Sequence, residues 1–71
     1  MNKYVDFTID DVRDRSEARK VLADLENEEE FFTNDLKVYL LAKEYEAVGE
    51  LAVMLNEFKT AINNVKKKFK L

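Results

Sequence analysis

The feature that most constrains the fold is an apolar stripe at helical spacing, which runs through residues 36–69 without a proline. Its first part steps alternately by three and four residues, through Val38, Leu41, Tyr45, Val48, Ala52 and Leu55. Heptad spacing of this kind is typical of a helix that packs against another helix. Phe58, Ile62, Val65 and Phe69 continue the stripe after one shorter step. The stripe therefore predicts a long helix over residues 35–69.

Gly49 is the one glycine of the chain, and it allows two interpretations of this segment. As a C-cap it ends one helix, and a second helix begins near Glu50, which makes residues 35–69 a helix pair. As an interior residue it costs about 1 kcal/mol relative to alanine, and the helix continues through it. The stripe passes through Gly49 in phase, which favours the continuous helix.

A first helix is predicted over residues 14–32. Asp14 followed three residues later by Glu17 has the form of a capping box, and Ala18, Val21, Leu22 and Leu25 then recur at helical spacing. Thr33, Asn34 and Asp35 follow, and their side chains compete for backbone hydrogen bonds. These three residues predict the break between the two helices.

Residues 1–13 are ambiguous. Val5, Phe7 and Ile9 alternate with polar residues, which is the pattern of a half-buried strand. Thr8 as N-cap, with Phe7 and Val12 as a hydrophobic staple, predicts a short helix instead. The segment is therefore either an extended N-terminal arm or a capped short helix.

The small size of the chain predicts self-association. Seventy-one residues form a single domain, and the chain has no cysteine to cross-link it. A core of this size supplies only about 3–5 kcal/mol. We therefore predict an all-α fold, either a helical hairpin or a three-helix bundle, completed by a second copy. The predicted self-association surface consists of Val38, Leu41, Tyr45, Val48, Leu55, Phe58 and Ile62.

The composition argues against catalysis. The chain has no histidine or cysteine and one serine, so the usual activated nucleophiles are missing. Its acids do not follow the spacing of a calcium-binding loop, and no glycine-rich loop is present to bind a nucleotide phosphate. We therefore expect no enzymatic activity, no metal and no cofactor. No leader peptide or membrane-spanning stretch is recognisable, which predicts a cytoplasmic protein.

The charges separate along the chain. Residues 1–35 hold 11 acids and 5 bases, whereas residues 36–71 hold 4 acids and 7 bases. Residues 24–35 contain six acids and no base, with two phenylalanines among them. Carboxylates can steer a basic partner while a phenylalanine anchors in its apolar pocket. The alternative is that the phenylalanines close the core at a turn. The predicted partner-binding residues are Asp24, Glu28, Glu29, Glu30, Phe31, Phe32 and Asp35.

The C-terminal segment is basic. Lys66, Lys67, Lys68 and Lys70 are candidate contacts to nucleic-acid phosphates. Their other interpretation is that they complement the negative end of a helix dipole. The net charge of −3 disfavours duplex binding by the whole chain.

The predicted function is accordingly that of a small acidic module that binds another protein and inhibits or regulates it. A row of acids on a helix can also imitate nucleic-acid phosphates. The alternatives are a DNA-associated transcriptional regulator that uses the lysines, and a purely structural oligomerisation module. The size and the lysine-, asparagine- and glutamate-rich composition are typical of short phage or mobile-element proteins.

Overall fold

A computed structural model of the chain describes residues 12–71, which form a helical hairpin. Helix α1 spans Arg15–Leu41 and helix α2 spans Tyr45–Phe69, and the two pack against each other along their length. Of the two predicted architectures, the structure supports the all-α hairpin. The predicted arm or short helix at the N-terminus lies outside the described residues, except for Val12 and Arg13.

Helix α1 begins where the capping pattern predicts. The Glu17 backbone N–H donates to Asp14 Oδ1 at 2.9 Å, so Asp14 is the N-cap. Glu17 in turn accepts a hydrogen bond at Oε2 from the Arg13 N–H, also at 2.9 Å. These two bonds satisfy backbone donors that have no partner inside the helix. The predicted helix start is confirmed.

The predicted break at residues 33–35 is wrong, because α1 continues through all three residues. The Thr33 hydroxyl donates to the Glu29 carbonyl at 2.8 Å, so this side chain bonds within the helix and does not end it. Phe32 and Leu36, four residues apart, are both partly buried on the side that faces α2. Packing therefore continues across the predicted break and holds the backbone helical.

The chain turns at residues 42–44, so a continuous helix over residues 35–69 is also wrong. Lys43 adopts the left-handed conformation, with φ of 61°. The Glu44 N–H donates to the Tyr39 carbonyl at 2.9 Å and the Lys43 N–H to the Leu40 carbonyl at 3.1 Å. These two bonds form a Schellman motif, in which the left-handed position is usually glycine. A lysine there gives little signal in the sequence.

Gly49 lies inside α2 and does not end a helix. Among the described residues no glycine has a positive φ. A Cβ added at Gly49 would meet no atom within 4 Å, so neither backbone strain nor close packing requires a glycine at this position. The predicted helix pair broken at Gly49 is therefore wrong.

The core lies at the open end of the hairpin, away from the turn. Its buried members come from both helices and from the segment before α1: Val12, Ala18, Leu25, Phe58, Ala61, Ile62 and Val65. Phe58 is the largest fully buried side chain, with 1% of its surface exposed. Towards the turn, in contrast, several large apolar side chains are exposed. Within residues 12–71, neither helix combines the length and the apolarity needed to cross a bilayer.

Replacing Gly49 by alanine is expected to stabilise the protein by about 1 kcal/mol, because alanine is the better helix former and nothing obstructs its methyl group. The measurement is urea unfolding followed by circular dichroism. The matched control is Ala52→Gly, at an exposed position of the same helix, which should destabilise by a similar amount. A destabilising Gly49→Ala would contradict the helical assignment of Gly49.

Candidate protein-interaction surface

The acidic residues of α1 point in different directions around the helix. At about 100° per residue, Asp24, Glu28 and Asp35 fall within an arc of about 40°. We call these three residues the acidic flank. Asp24 and Glu28 are exposed and Asp35 is partly buried. Glu29 is partly buried on the side nearer α2, and Glu30 is exposed on the opposite flank. The structure therefore brings three of the five predicted acids together.

The two phenylalanines of the acidic segment are separated by the fold. Phe32 packs on Phe58 with ring centroids 5.8 Å apart, so it belongs to the margin of the core. Phe31 is 61% exposed and contacts the Phe32 ring edge-on, at 5.3 Å and 84°. Phe31 is thus an exposed aromatic side chain whose ring is supported by a partly buried neighbour. It lies beside the acidic flank.

Phe31 also belongs to an apolar row on the outer side of α1. Phe31, Asn34, Val38 and Leu41 are spaced by three, four and three residues and fall within an arc of about 80°. We call these four residues the outer stripe. All four are exposed, with 63% of Val38 and 85% of Leu41 accessible. The stripe points away from α2, since the buried residues Ala18 and Leu25 lie on the opposite side of α1.

Sequence reasoning missed Asn34 as a surface residue because it assigned Asn34 to the break between helices. The signal that could have found the outer stripe is its spacing of three, four and three. That spacing was hidden because the same stretch also contains the core-facing residues Phe32 and Leu36.

An open cleft lies between the helices near the turn. Its volume is about 220 Å³, and it is lined by Asp35, Tyr39, Ala47, Glu50, Leu51 and Met54. The lining therefore combines two acidic residues and a tyrosine with apolar residues. Glu50 and Tyr39 were not predicted as site residues, because only the turn at residues 42–44 brings the two segments together. No sequence signal marked that turn.

The predicted self-association surface is divided by the fold. Phe58 and Ile62 are buried in the hairpin's own core and are unavailable to a second chain. Val48 and Leu55 are partly buried. Only Val38, Leu41 and Tyr45 are largely exposed, and they lie close to the turn. With half-exposed Leu40, Leu41 and Tyr45 form a group that we call the turn patch.

The four C-terminal lysines do not share one face of α2. All are exposed, and Lys66 Nζ lies 4.0 Å from Glu26 Oε2 on α1. Lys68 Nζ lies over the Phe69 ring, 5.3 Å from its centroid. Lys66, Lys67 and Lys68 occupy the last turn of α2, where they complement the helix dipole. The DNA-associated regulator that these lysines suggest stays a prediction.

Within residues 12–71 no group of three or more acidic, histidine or cysteine residues is arranged to hold a metal ion. No protein-family model matches this chain, and comparison with curated proteins and with solved structures finds no match. The candidate surface is therefore interpreted from its own geometry.

The two phenylalanines should respond differently to truncation. Phe32→Ala removes a ring packed on the core and is expected to cost about 2 kcal/mol or more. Phe31→Ala removes one edge-on contact and should cost no more than about 1 kcal/mol. Urea unfolding of both variants measures the difference. Equal destabilisation by the two variants would show that Phe31 is part of the core and not a surface residue.

Proposed function

We propose that this chain is a non-enzymatic module that binds another protein and modulates it, by inhibition or regulation. The contact surface is the outer side of α1, where Phe31 is the central anchor. The observation that carries the proposal is the exposure of Phe31, whose ring contacts the partly buried Phe32 ring edge-on. An exposed aromatic ring buries a large apolar area when it enters a partner's pocket, and such side chains often carry much of the binding energy of an interface.

The acidic flank indicates the character of the partner. Asp24 and Asp35 lie seven residues before and four residues after Phe31, and Glu28 lies three residues before it. Carboxylates around an apolar anchor accelerate encounter with a basic surface and disfavour an acidic one. Proteins that bind nucleic acids carry such basic surfaces, and the acid row would imitate phosphates for them. The proposed partner is therefore a protein with a basic surface around an apolar pocket.

Affinity capture with matched variants tests this proposal. The full chain, Phe31→Ala and Val53→Ala are each immobilised, and the captured proteins are quantified by mass spectrometry. Val53 is the control because it is an exposed apolar residue (57%) on the other helix. We expect at least one protein that is retained by the unmodified chain and by Val53→Ala but lost with Phe31→Ala. The same protein should be lost when Asp24, Glu28 and Asp35 are changed together to lysine.

The proposal fails if no captured protein depends on Phe31, or if every protein lost with Phe31→Ala is lost equally with Val53→Ala. Circular dichroism of each variant checks that the helices are intact. A loss of binding then reports on the surface and not on folding.

Self-association is the second candidate, and the turn patch favours it. Leu40, Leu41 and Tyr45 expose adjoining apolar surface at the end of the hairpin where the core is absent. Burial of apolar surface contributes roughly 25 cal/mol per Å² to stability. Because the core of one hairpin is small, apolar surface buried against a second copy would add a large fraction to the total stability.

Leu41→Asp tests self-association, because Leu41 is so exposed that the single hairpin should fold without it. Light scattering over a concentration series should show the unmodified chain as a dimer or larger, and Leu41→Asp as a monomer with unchanged helicity. A monomer at every concentration for the unmodified chain would exclude self-association. An oligomer that persists in Leu41→Asp would place the contact elsewhere.

A further inference from the structure

We infer that the outer side of α1 receives an amphipathic helix of the partner, with lysine or arginine residues along its flank. This inference rests on the proposed function and names the partner's binding element. The outer stripe holds the apolar face of that helix. The cleft lies beyond the acidic flank, which reaches it through Asp35, and takes one of the helix's basic side chains. Three features of the described residues support this assignment.

The first feature is the spacing of the outer stripe. Phe31, Asn34, Val38 and Leu41 follow the alternation of three and four residues that lets side chains of one helix fit between those of another. The stripe runs from Phe31 to Leu41, ten steps along the chain, which corresponds to about 15 Å along the helix axis. A narrow row of this length suits a partner helix, because helices pack by fitting a row of side chains on one into the groove beside a row on the other. A loop or a sheet edge has no matching row.

The second feature is Asn34, the one polar member of the stripe. An asparagine in the apolar row of a helix pair lowers the stability of the pair but selects its register and its partner, because the buried amide needs a hydrogen-bond partner. Asn34 is exposed in the hairpin and lies between two exposed apolar residues of the stripe. A helix with a polar residue opposite Asn34 is therefore preferred to one that is apolar throughout.

The third feature is the charge beside the stripe. The acidic flank supplies three carboxylates, and Asp35 continues into the cleft, where Glu50 adds a fourth. Tyr39 lines the same cleft, and an aromatic face attracts a cation. A volume of about 220 Å³ over the apolar side chains of Leu51 and Met54 suits the aliphatic part of a lysine or arginine, whose charged end then meets the carboxylates.

A second copy of this chain fits the surface less well. Two hairpins that pack antiparallel through the outer stripe place the acidic flank of one against the acidic flank of the other, and like charges repel. In a parallel pairing the acidic flank of one copy faces the opposite flank of the second copy. That flank carries the base Lys37 next to the acid Glu30, so attraction is accompanied by repulsion. The charge pattern therefore favours a basic partner over self-pairing at this stripe.

Designed peptides test the inference with the full chain. The first probe is a three-heptad amphipathic peptide with leucine at its core positions, one central asparagine and lysine on both flanks. The second is identical but has glutamate on both flanks. Binding is measured by amide chemical-shift changes in the isotopically labelled protein. We expect the lysine peptide to shift the amides of the outer stripe and of the cleft, and the glutamate peptide to bind at least about tenfold more weakly.

Variants locate the binding site. Val38→Glu should lower the affinity for the lysine peptide by about tenfold or more. Val53→Glu, at a matched exposed position on α2, should leave this affinity unchanged. Asp35→Asn combined with Glu50→Gln should weaken the lysine peptide and reduce its dependence on salt. If circular dichroism shows that Val38→Glu disturbs the helix, Phe31→Ala tests the apolar contact instead.

Several outcomes would overturn the inference. These are equal affinity for the two peptides, no binding of the lysine peptide, shifts confined to the outer face of α2, or binding that survives both Val38→Glu and Phe31→Ala. A dimer of the unmodified chain that Val38→Glu dissociates would make a second copy the occupant, and would also overturn it. If the capture of a cellular protein depends on Phe31 but the lysine peptide does not bind, only the inferred binding element is wrong. If neither dependence is found, the proposed function fails as well.

Discussion

The rest of the structure depends on the burial of the Phe58 side chain of α2 against α1. Phe58 is almost fully buried and packs on the Phe32 ring at 5.8 Å. That contact, together with the burial of Ala18 and Leu25 on the same side of the helix, fixes the rotation of α1 about its axis. Because neighbouring residues on a helix are about 100° apart, burying Phe32 directs Phe31 to the side, next to the acidic flank. The same rotation sends Asn34 and Val38 outward, so the packing of α1 on α2 determines which residues form the candidate surface.

The sequence predicts the helical class and the start of α1, because both depend on short-range signals. Asp14 and Glu17 are three residues apart, and their hydrogen bonds need no tertiary contact. The position of the turn could not be predicted in this way. Lys43 adopts a left-handed backbone conformation that costs a non-glycine residue about 1 kcal/mol, and the packing of the two helices stabilises it. Thr33 and Asn34, which resemble helix-ending residues, are tolerated inside α1 because Phe32 and Leu36 pack on both sides of them.

The division between core and surface could be predicted only in part, for a related reason. Leu41 and Tyr45 are four residues apart, so the apolar spacing continues across a turn as if the helix did. An apolar stripe shows that a face is buried but not which chain buries it. Once the chain reverses at residues 42–44, Phe58 and Ile62 meet α1 of the same molecule. The acidic segment is visible in the sequence, but only the packing of α1 on α2 separates Phe31 from Phe32 and places Asp35 and Glu50 on the lining of one cleft.

The core and most of the exposed apolar side chains occupy different ends of this hairpin. The open end contains the buried residues of both helices, whereas the turn end exposes apolar side chains and holds the cleft with its two carboxylates. Substitutions at the exposed residues Val38 and Leu41 should therefore have little effect on folding. This separation has a cost, because apolar residues that face solvent near the turn do not contribute to the core. A chain without cross-links that leaves so much apolar surface uncovered gains most when a partner covers it, so its stability should be linked to binding.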